Sequence, residues 1–355
     1  MRSSSGEHFI ALDHVRALAA FMVFAWHFLH AGTGYPISLE YVPSFLFLSL
    51  LDEGHTGVAL FMTLSGYLFA KLLDGRRIDF RAFLWNRFLR LAPLLLVVIV
   101  IVGFVRVASF KDLFAYLRLV AGGVLVPSLP NGGWSITIEF HFYLLLPLFL
   151  WLSRKWKPSL LLVILVAVLL RALLHHERGS IQTLTYLSIF GRIDQFLFGM
   201  LAFQYRSLVA KQHILGVVGI IIFSLFYWYF NKQGGFYQTI AYPSPSAVWV
   251  YLTTVEGFFY ALAIAYYDNS FTHSNRGLSR FIGHIGVFSY SIYLFHFFVV
   301  FHMARFIHER IIDISNFYLA CIWAVICFLL VMPIGYISFR FVEAPLLKLR
   351  KRYIL

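Results

Sequence analysis

The chain has 355 residues, enough for two or three soluble domains, but 60% of them are hydrophobic, 13% are charged, and the mean hydropathy is +0.78. A soluble domain is roughly 45–50% apolar and about 25% charged. With 39 Phe, 20 Tyr and 8 Trp, a water-soluble core, a disordered chain and a fibrous repeat are all excluded, and an integral membrane protein remains. The net charge of +13 fits basic loops beside a bilayer; no basic surface interleaved with aromatics suggests nucleic acid.

Taken in chain order, ten apolar stretches are long enough to cross a ~30 Å hydrocarbon core. They are 9–30, 55–73, 86–106, 135–153, 159–175, 183–205, 213–230, 248–267, 281–304 and 316–339. The polar stretch Met1–His8 has no evident cleavage site, so 9–30 reads as a first membrane helix and not as a removed signal peptide. The sixth stretch is interrupted by Arg192 and Asp194, and the 107–134 connection carries an apolar piece that could be re-entrant. Cys321 and Cys327 share one apolar stretch on different helix faces, with neither disulfide nor metal-type spacing. The expected fold class is all-α: a polytopic bundle of about ten transmembrane helices forming one domain over 1–355, with no appended soluble domain.

Loop charge orients the bundle. With the N-terminus inside, the inner segments hold Arg2, the run from Lys71 through Arg76, Arg77 and Arg81 to Arg87 and Arg90, then Arg154, Lys155 and Lys157, and the basic tail Lys348–Arg352. The outer segments, where Arg171 is counted, hold fewer than half as many, and 31–54 holds none. Both termini are therefore expected in the cytoplasm.

Ionisable groups inside spans cost several kcal/mol, perhaps ~2.5–3.5 on insertion scales, so each needs a reason. In the first span Asp13 and Arg16 are three apart and share a face. His27 follows eleven residues after Arg16 on that same face, ~16 Å along the axis. Arg87 and Arg90 make a fork at the inner mouth of the third span, suited to binding phosphate bidentately, and Arg76 and Arg77 strengthen the local field. Trp134-Ser135 opens the fourth span from outside, with Glu139 and Tyr143 below. Tyr293 and His296 lie on a polar face of the ninth span. His27, Glu139 and His296 thus come from separate spans toward one expected depth. Ser65-Gly66 in the second span reads as a small pair for close helix approach. Apart from a functional role, Glu139 could be a buried ion-pair partner for Arg192 or for a histidine, and Glu343 reads as a brace for the arginine fork.

Together these residues resemble the acyltransferase-3 family of integral-membrane acyltransferases. Asp13, Arg16 and His27 fit its Arg–ten residues–His element, and Arg87, Arg90 and Pro93 its Arg-x-x-Arg element. Trp134-Ser135, Glu139, Phe142-Tyr143 and Pro147 fit a central element, followed by Arg192, Phe196, Gly199 and Met200. Ser289-Tyr290, Tyr293-Leu294 and His296 fit a late element, and Glu343 with Pro345 the closing one. His14 stands where the family commonly has Gly, and Ala59 where it usually has Asp.

The resemblance implies a multi-pass protein of a bacterial cytoplasmic (inner) membrane. It implies transfer of an acyl group, usually acetyl from the co-substrate acetyl-CoA, to a hydroxyl of a carbohydrate or glycolipid presented outside. On that footing His27 is the expected general base, and Glu139 would orient its imidazole. Arg16, Arg87, Arg90, Arg76 and Arg77 would bind acyl-CoA. Trp134, Ser135, Tyr293 and His296 would contact the acceptor or the thioester carbonyl. Asp13, Ser65, Tyr143, Arg192 and Glu343 would brace them, and no metal is called for. A succinyl donor is an alternative, since the sequence does not give the pocket width, and a transporter of polar glycans or lipids fits the intramembrane charges as well. The state of assembly, homo-oligomer included, is not decided by the sequence.

Overall fold

The structure is a computed structural model in which residues 9–237 and 242–355 are described; the N-terminal stretch with Arg2 lies outside them. The described residues form helices joined by loops, and their only β-pairing is one antiparallel bridge between Ile78 and Ile354. The principal helices are α1 (Ile10–His30), α2 (Gly57–Leu73), α3 (Phe80–Arg106), α4 (Phe110–Gly122), α5 (Gly133–Lys155), α6 (Ser159–Arg178), α7 (Ile189–Gln204), α8 (His213–Lys232), α9 (Val248–Ser270), α10 (Gly277–Val287), α11 (Ser289–Phe295), α12 (Val300–Arg310) and α13 (Phe317–Ser338). Among the described residues, by length and composition, eight helical stretches can cross a membrane, or nine if the bent pair α10/α11 counts as one span. The chain is thus an all-α, multi-pass membrane protein. Leu, Ile, Val and Phe side chains on α3, α5, α6, α8 and α13 face outward, as lipid-facing surfaces do.

α1, α2, α7 and α9 form the centre. α2 and α7 approach so closely that a Cβ on Gly66 would run into the Phe196 carbonyl, and one on Gly199 into the Thr63 carbonyl. Glycine here lets two backbones touch, the small-residue packing that replaces the hydrophobic effect in lipid. α3 begins six residues before the expected 86 because Asp79 caps it, accepting from Ala82 N–H at 3.1 Å.

Four expectations change. The sixth stretch is broken at Ser188, between a short helix Gln182–Leu187 and α7; the Ser188 hydroxyl accepts from Gly191 N–H. The ninth stretch divides into α10, α11 and α12, with a 55° bend after Val287. There the Ser289 hydroxyl donates to the Gly286 carbonyl at 2.9 Å, standing in for a helical N–H. The 107–134 connection contains α4, an exposed amphipathic helix that packs back on the end of α3 through Tyr116, whose hydroxyl donates to the Ile99 carbonyl. Arg171, expected in an outer loop, is buried within the bundle. Its guanidinium meets Asp194 at 2.7 Å, Thr254 at 2.8 Å and the carbonyls of Gly191 and Val250.

Candidate active site

A cavity of about 210 Å³ enters the bundle at the end where α3 begins and α13 finishes. Four guanidinium groups line it: Arg16 from α1, Arg87 and Arg90 from α3, and Arg350 from the segment after α13. Two of them are answered by carboxylates. Arg16 pairs with Asp13 one turn earlier, and Arg90 donates to Glu343 at 2.9 Å and to the Val287 carbonyl at 3.3 Å. Glu343, fully buried, also accepts from Ser291, so both of its oxygens are engaged. The other two have no carboxylate partner, and their Nε atoms are buried without an acceptor. Burial, with the Arg87 and Arg90 charges beside it, brings Arg350 down to about 10, still protonated at neutral pH. Arg76 and Arg77 are not among the lining residues. They sit in the loop before α3, their carbonyls accepting from Arg154 and from the Leu355 N–H.

Deeper in, Glu139 accepts from Ser65 at 2.9 Å and from Tyr143. Its expected place beside His27 is corrected here. Glu139 lies six residues into α5, ~9 Å below the helix start at 1.5 Å per residue, whereas His27 is in the last turn of α1. No hydrogen bond or ring contact joins them. Nor does Arg192 pair with Glu139; it stacks on Tyr186 (4.2 Å) and Trp134 (5.3 Å) and donates to the Tyr186 carbonyl and to Gln195. The Trp134 ring is thereby committed to Tyr186 and Arg192.

The cavity lining ends at Ser135 and Tyr293 and includes neither His27 nor His296. Ser135 Oγ and Tyr293 Oη are 2.9 Å apart, and both hydroxyls reach the Gly132 carbonyl, at 2.9 and 3.1 Å. Gly132 holds φ +77°, and a Cβ there would strike the Tyr293 phenol, so glycine is required twice over. This polar bolt stands at the junction of the cavity and the histidines, since Tyr293 lines the cavity and its ring and carbonyl meet His296.

Beyond the bolt the imidazoles form a chain. A carbonyl can only accept, so the 2.6 Å contact of His296 Nδ1 with the Tyr293 carbonyl places a proton on that Nδ1 and leaves Nε2 a lone pair. His27 Nδ1 lies 2.8 Å from the Val23 carbonyl and 3.4 Å from His296 Nε2, so it too carries the proton and donates to both. His27 Nε2 is left with a free lone pair. The ring is half-buried and edged by Trp26 and Phe297 at centroid distances of 4.8 and 4.6 Å. The Val23 carbonyl thus fixes the tautomer of His27, with His296 as a second acceptor, in place of the expected carboxylate. Residues 9–338 match the family described as acyltransferase domain, of the acyltransferase-3 type. The chain belongs to that family.

Among curated proteins it is similar to the peptidoglycan O-acetyltransferase OatA of Listeria monocytogenes, 26% identical over 95% of this chain and 56% of that protein. It is also similar to the O-acetyltransferase OatA of Staphylococcus aureus, 25% identical over 84% of this chain and 53% of that protein. Nodulation protein 10 of Rhizobium leguminosarum is 30% identical over 47% of this chain and 50% of that one. The chain spans about half the length of the curated relatives it matches. No solved structure matches it.

Sequence reasoning missed Arg350 and Tyr353, because nothing in the spacing of the basic tail separates Arg350 from its neighbours. It also missed Glu256, a buried acid inside the eighth stretch that accepts from Thr56, Gln195 and Tyr227. There a signal existed, since an acid amid apolar residues is itself unusual.

Proposed function

We propose that this chain transfers an acetyl group from acetyl-CoA, bound at the arginine-lined end, to a hydroxyl of a glycan on the opposite side of a bacterial cytoplasmic membrane. The observation that carries this reading is the sequence of environments along one axis: a cationic mouth, a narrow cavity, a hydroxyl bolt, and an imidazole with a free Nε2. The excess of basic residues at the mouth supports a cytoplasmic orientation for that end. The O-acetyltransferase relatives, one named for peptidoglycan, support an acetyl donor and a glycan acceptor.

In this scheme the phosphates of the donor sit against Arg87 and Arg90, with Glu343 holding Arg90 in place. The pantetheine arm runs past Arg16 and Glu139, where the carboxylate oxygen not engaged by Ser65 and Tyr143 accepts an amide N–H. The thioester reaches the Ser135–Tyr293 bolt, which opens to bring it to His27. His27 Nε2 takes the acceptor hydroxyl proton as the oxygen attacks the thioester carbonyl. The tetrahedral intermediate collapses with loss of the CoA thiolate, and the imidazolium returns the proton to that sulfur. During the proton's stay on His27, its Nδ1–H donates to His296 Nε2 and the Val23 carbonyl, which keeps the ring oriented.

The test uses purified protein, labelled acetyl-CoA and a soluble glycan acceptor. His27→Ala is expected to lower kcat by roughly 10²–10⁴-fold while acetyl-CoA still binds. Undiminished transfer by that variant overturns the assignment.

A further inference from the structure

Two features that the residue spacing did not reveal meet at the mouth of the cavity. The first is a strap: residues 350–355 run back along the start of α3. Asn86 and Lys351 exchange a pair of hydrogen bonds, the Asn86 amide donating to the Lys351 carbonyl at 2.7 Å and Lys351 N–H donating back at 2.9 Å. Asp79 N–H donates to the Tyr353 carbonyl at 2.9 Å, and Leu355 N–H to the Arg77 carbonyl at 3.0 Å. The second is a set of orphaned polar atoms. Arg87 Nε, Arg350 Nε and Tyr353 Oη are all buried without a hydrogen-bond partner, and all three side chains line the same cavity. Tyr353 is 1% exposed, its ring against Phe83 at 5.6 Å.

Buried polar groups in proteins are almost always satisfied, and a cluster that is not calls for a ligand or ordered solvent. The chemistry of this cluster selects the ligand. Two guanidinium groups offer only donors toward the cavity and the phenol can donate as well, while the nearby acids Asp13 and Glu343 are engaged by Arg16 and by Arg90 and Ser291, and Glu139 lies deeper, with Ser65 and Tyr143. Arginine pairs with phosphate through parallel N–H groups.

We infer that the strap 350–355 forms one wall of the donor's nucleotide subsite, with Arg350 and Tyr353 holding a phosphate of acyl-CoA opposite Arg87. This rests on the acyl-CoA reading above. The strap delivers a cation and a hydroxyl that no membrane helix supplies, and the Asn86 exchange ties their position to the helix that carries Arg87 and Arg90.

The experiment compares two donors on purified protein by titration calorimetry: acetyl-CoA, and S-acetylpantetheine, which has the thioester and arm but no nucleotide. Wild type is expected to bind acetyl-CoA much the tighter. Arg350→Gln should weaken acetyl-CoA roughly tenfold or more and leave S-acetylpantetheine within about twofold. Arg350→Lys should lose less, because it keeps the charge without the fork. Tyr353→Phe removes only the hydroxyl and should lose about threefold in the same selective direction, which keeps the test decisive even where Arg350→Gln fails to fold. Equal weakening toward both donors, or unchanged affinity for acetyl-CoA, overturns the inference. Equal affinity of wild type for both donors overturns the acyl-CoA reading itself.

Discussion

Two clusters of buried arginine in this protein have opposite endings. Around Arg171 every guanidinium nitrogen is answered: Asp194, Thr254 and two backbone carbonyls surround one guanidinium, with both charges sealed from solvent. At the mouth of the cavity, Arg87 and Arg350 keep buried Nε atoms with no acceptor. The first arrangement is complete in the isolated chain and ties α6, α7 and α9 together. The second leaves donors that the chain itself does not answer, which the proposed donor phosphate would complete. Burial of charge alone therefore does not mark a functional site; an unmet hydrogen-bonding capacity facing a cavity does.

The comparison can be broken most sharply at Arg171. Arg171→Met strands the Asp194 carboxylate, and removing one partner of a buried pair typically costs ~3–5 kcal/mol. A large drop in Tm is expected, and removing both charges in Arg171→Met/Asp194→Leu should recover much of it. A single variant as stable as wild type would show that the cluster is not a structural tie. Arg87→Gln should do the reverse. Its Tm should stay near wild type while the acetyl-CoA Kd rises roughly tenfold, in line with ~1.5–3 kcal/mol for a hydrogen bond to a charged group. A pure kcat loss with unchanged Kd would place Arg87 outside the donor site.

The smallest expected effect concerns the bolt. Tyr293→Phe removes one hydroxyl from its bonds to Ser135 and Gly132, costing about 1 kcal/mol of stability, and it should ease passage between cavity and histidine pair. Cysteine-accessibility labelling at position 135, in Ser135→Cys with and without Tyr293→Phe, reads that passage. Unchanged labelling from the far side would mean the phenol does not close it.

Much of this was legible along the chain. The i, i+3 spacing of Asp13 and Arg16 shows as an ion pair, and Ser65-Gly66 lies where α2 meets α7 through Gly66. Most span boundaries fall within a few residues of the helices observed, because twenty apolar residues in a row have few alternatives. The failures share one cause. Depth in the bundle was inferred from position in each span, and that ignores how far helices shift along one another. Glu139 thus seemed level with His27, whereas it sits with Ser65 and Tyr143 in the cavity wall. Breaks were equally hidden, because a hydroxyl that substitutes for a helical N–H, as at Ser289, looks like any serine in a span.

Composition and hydropathy by themselves determined that the chain lives in a membrane as a helical bundle, because unbroken apolar stretches of about twenty residues cross a bilayer as helices that satisfy their own backbone hydrogen bonds. Residue order determined the family. Only the tertiary structure decided which charges the chain itself answers and which it leaves with unpartnered donors. Arg350 reaches Arg87, and His296 reaches His27, across more than 250 positions of chain. Contacts at that separation depend on how the helices settle against each other, and no local spacing encodes it.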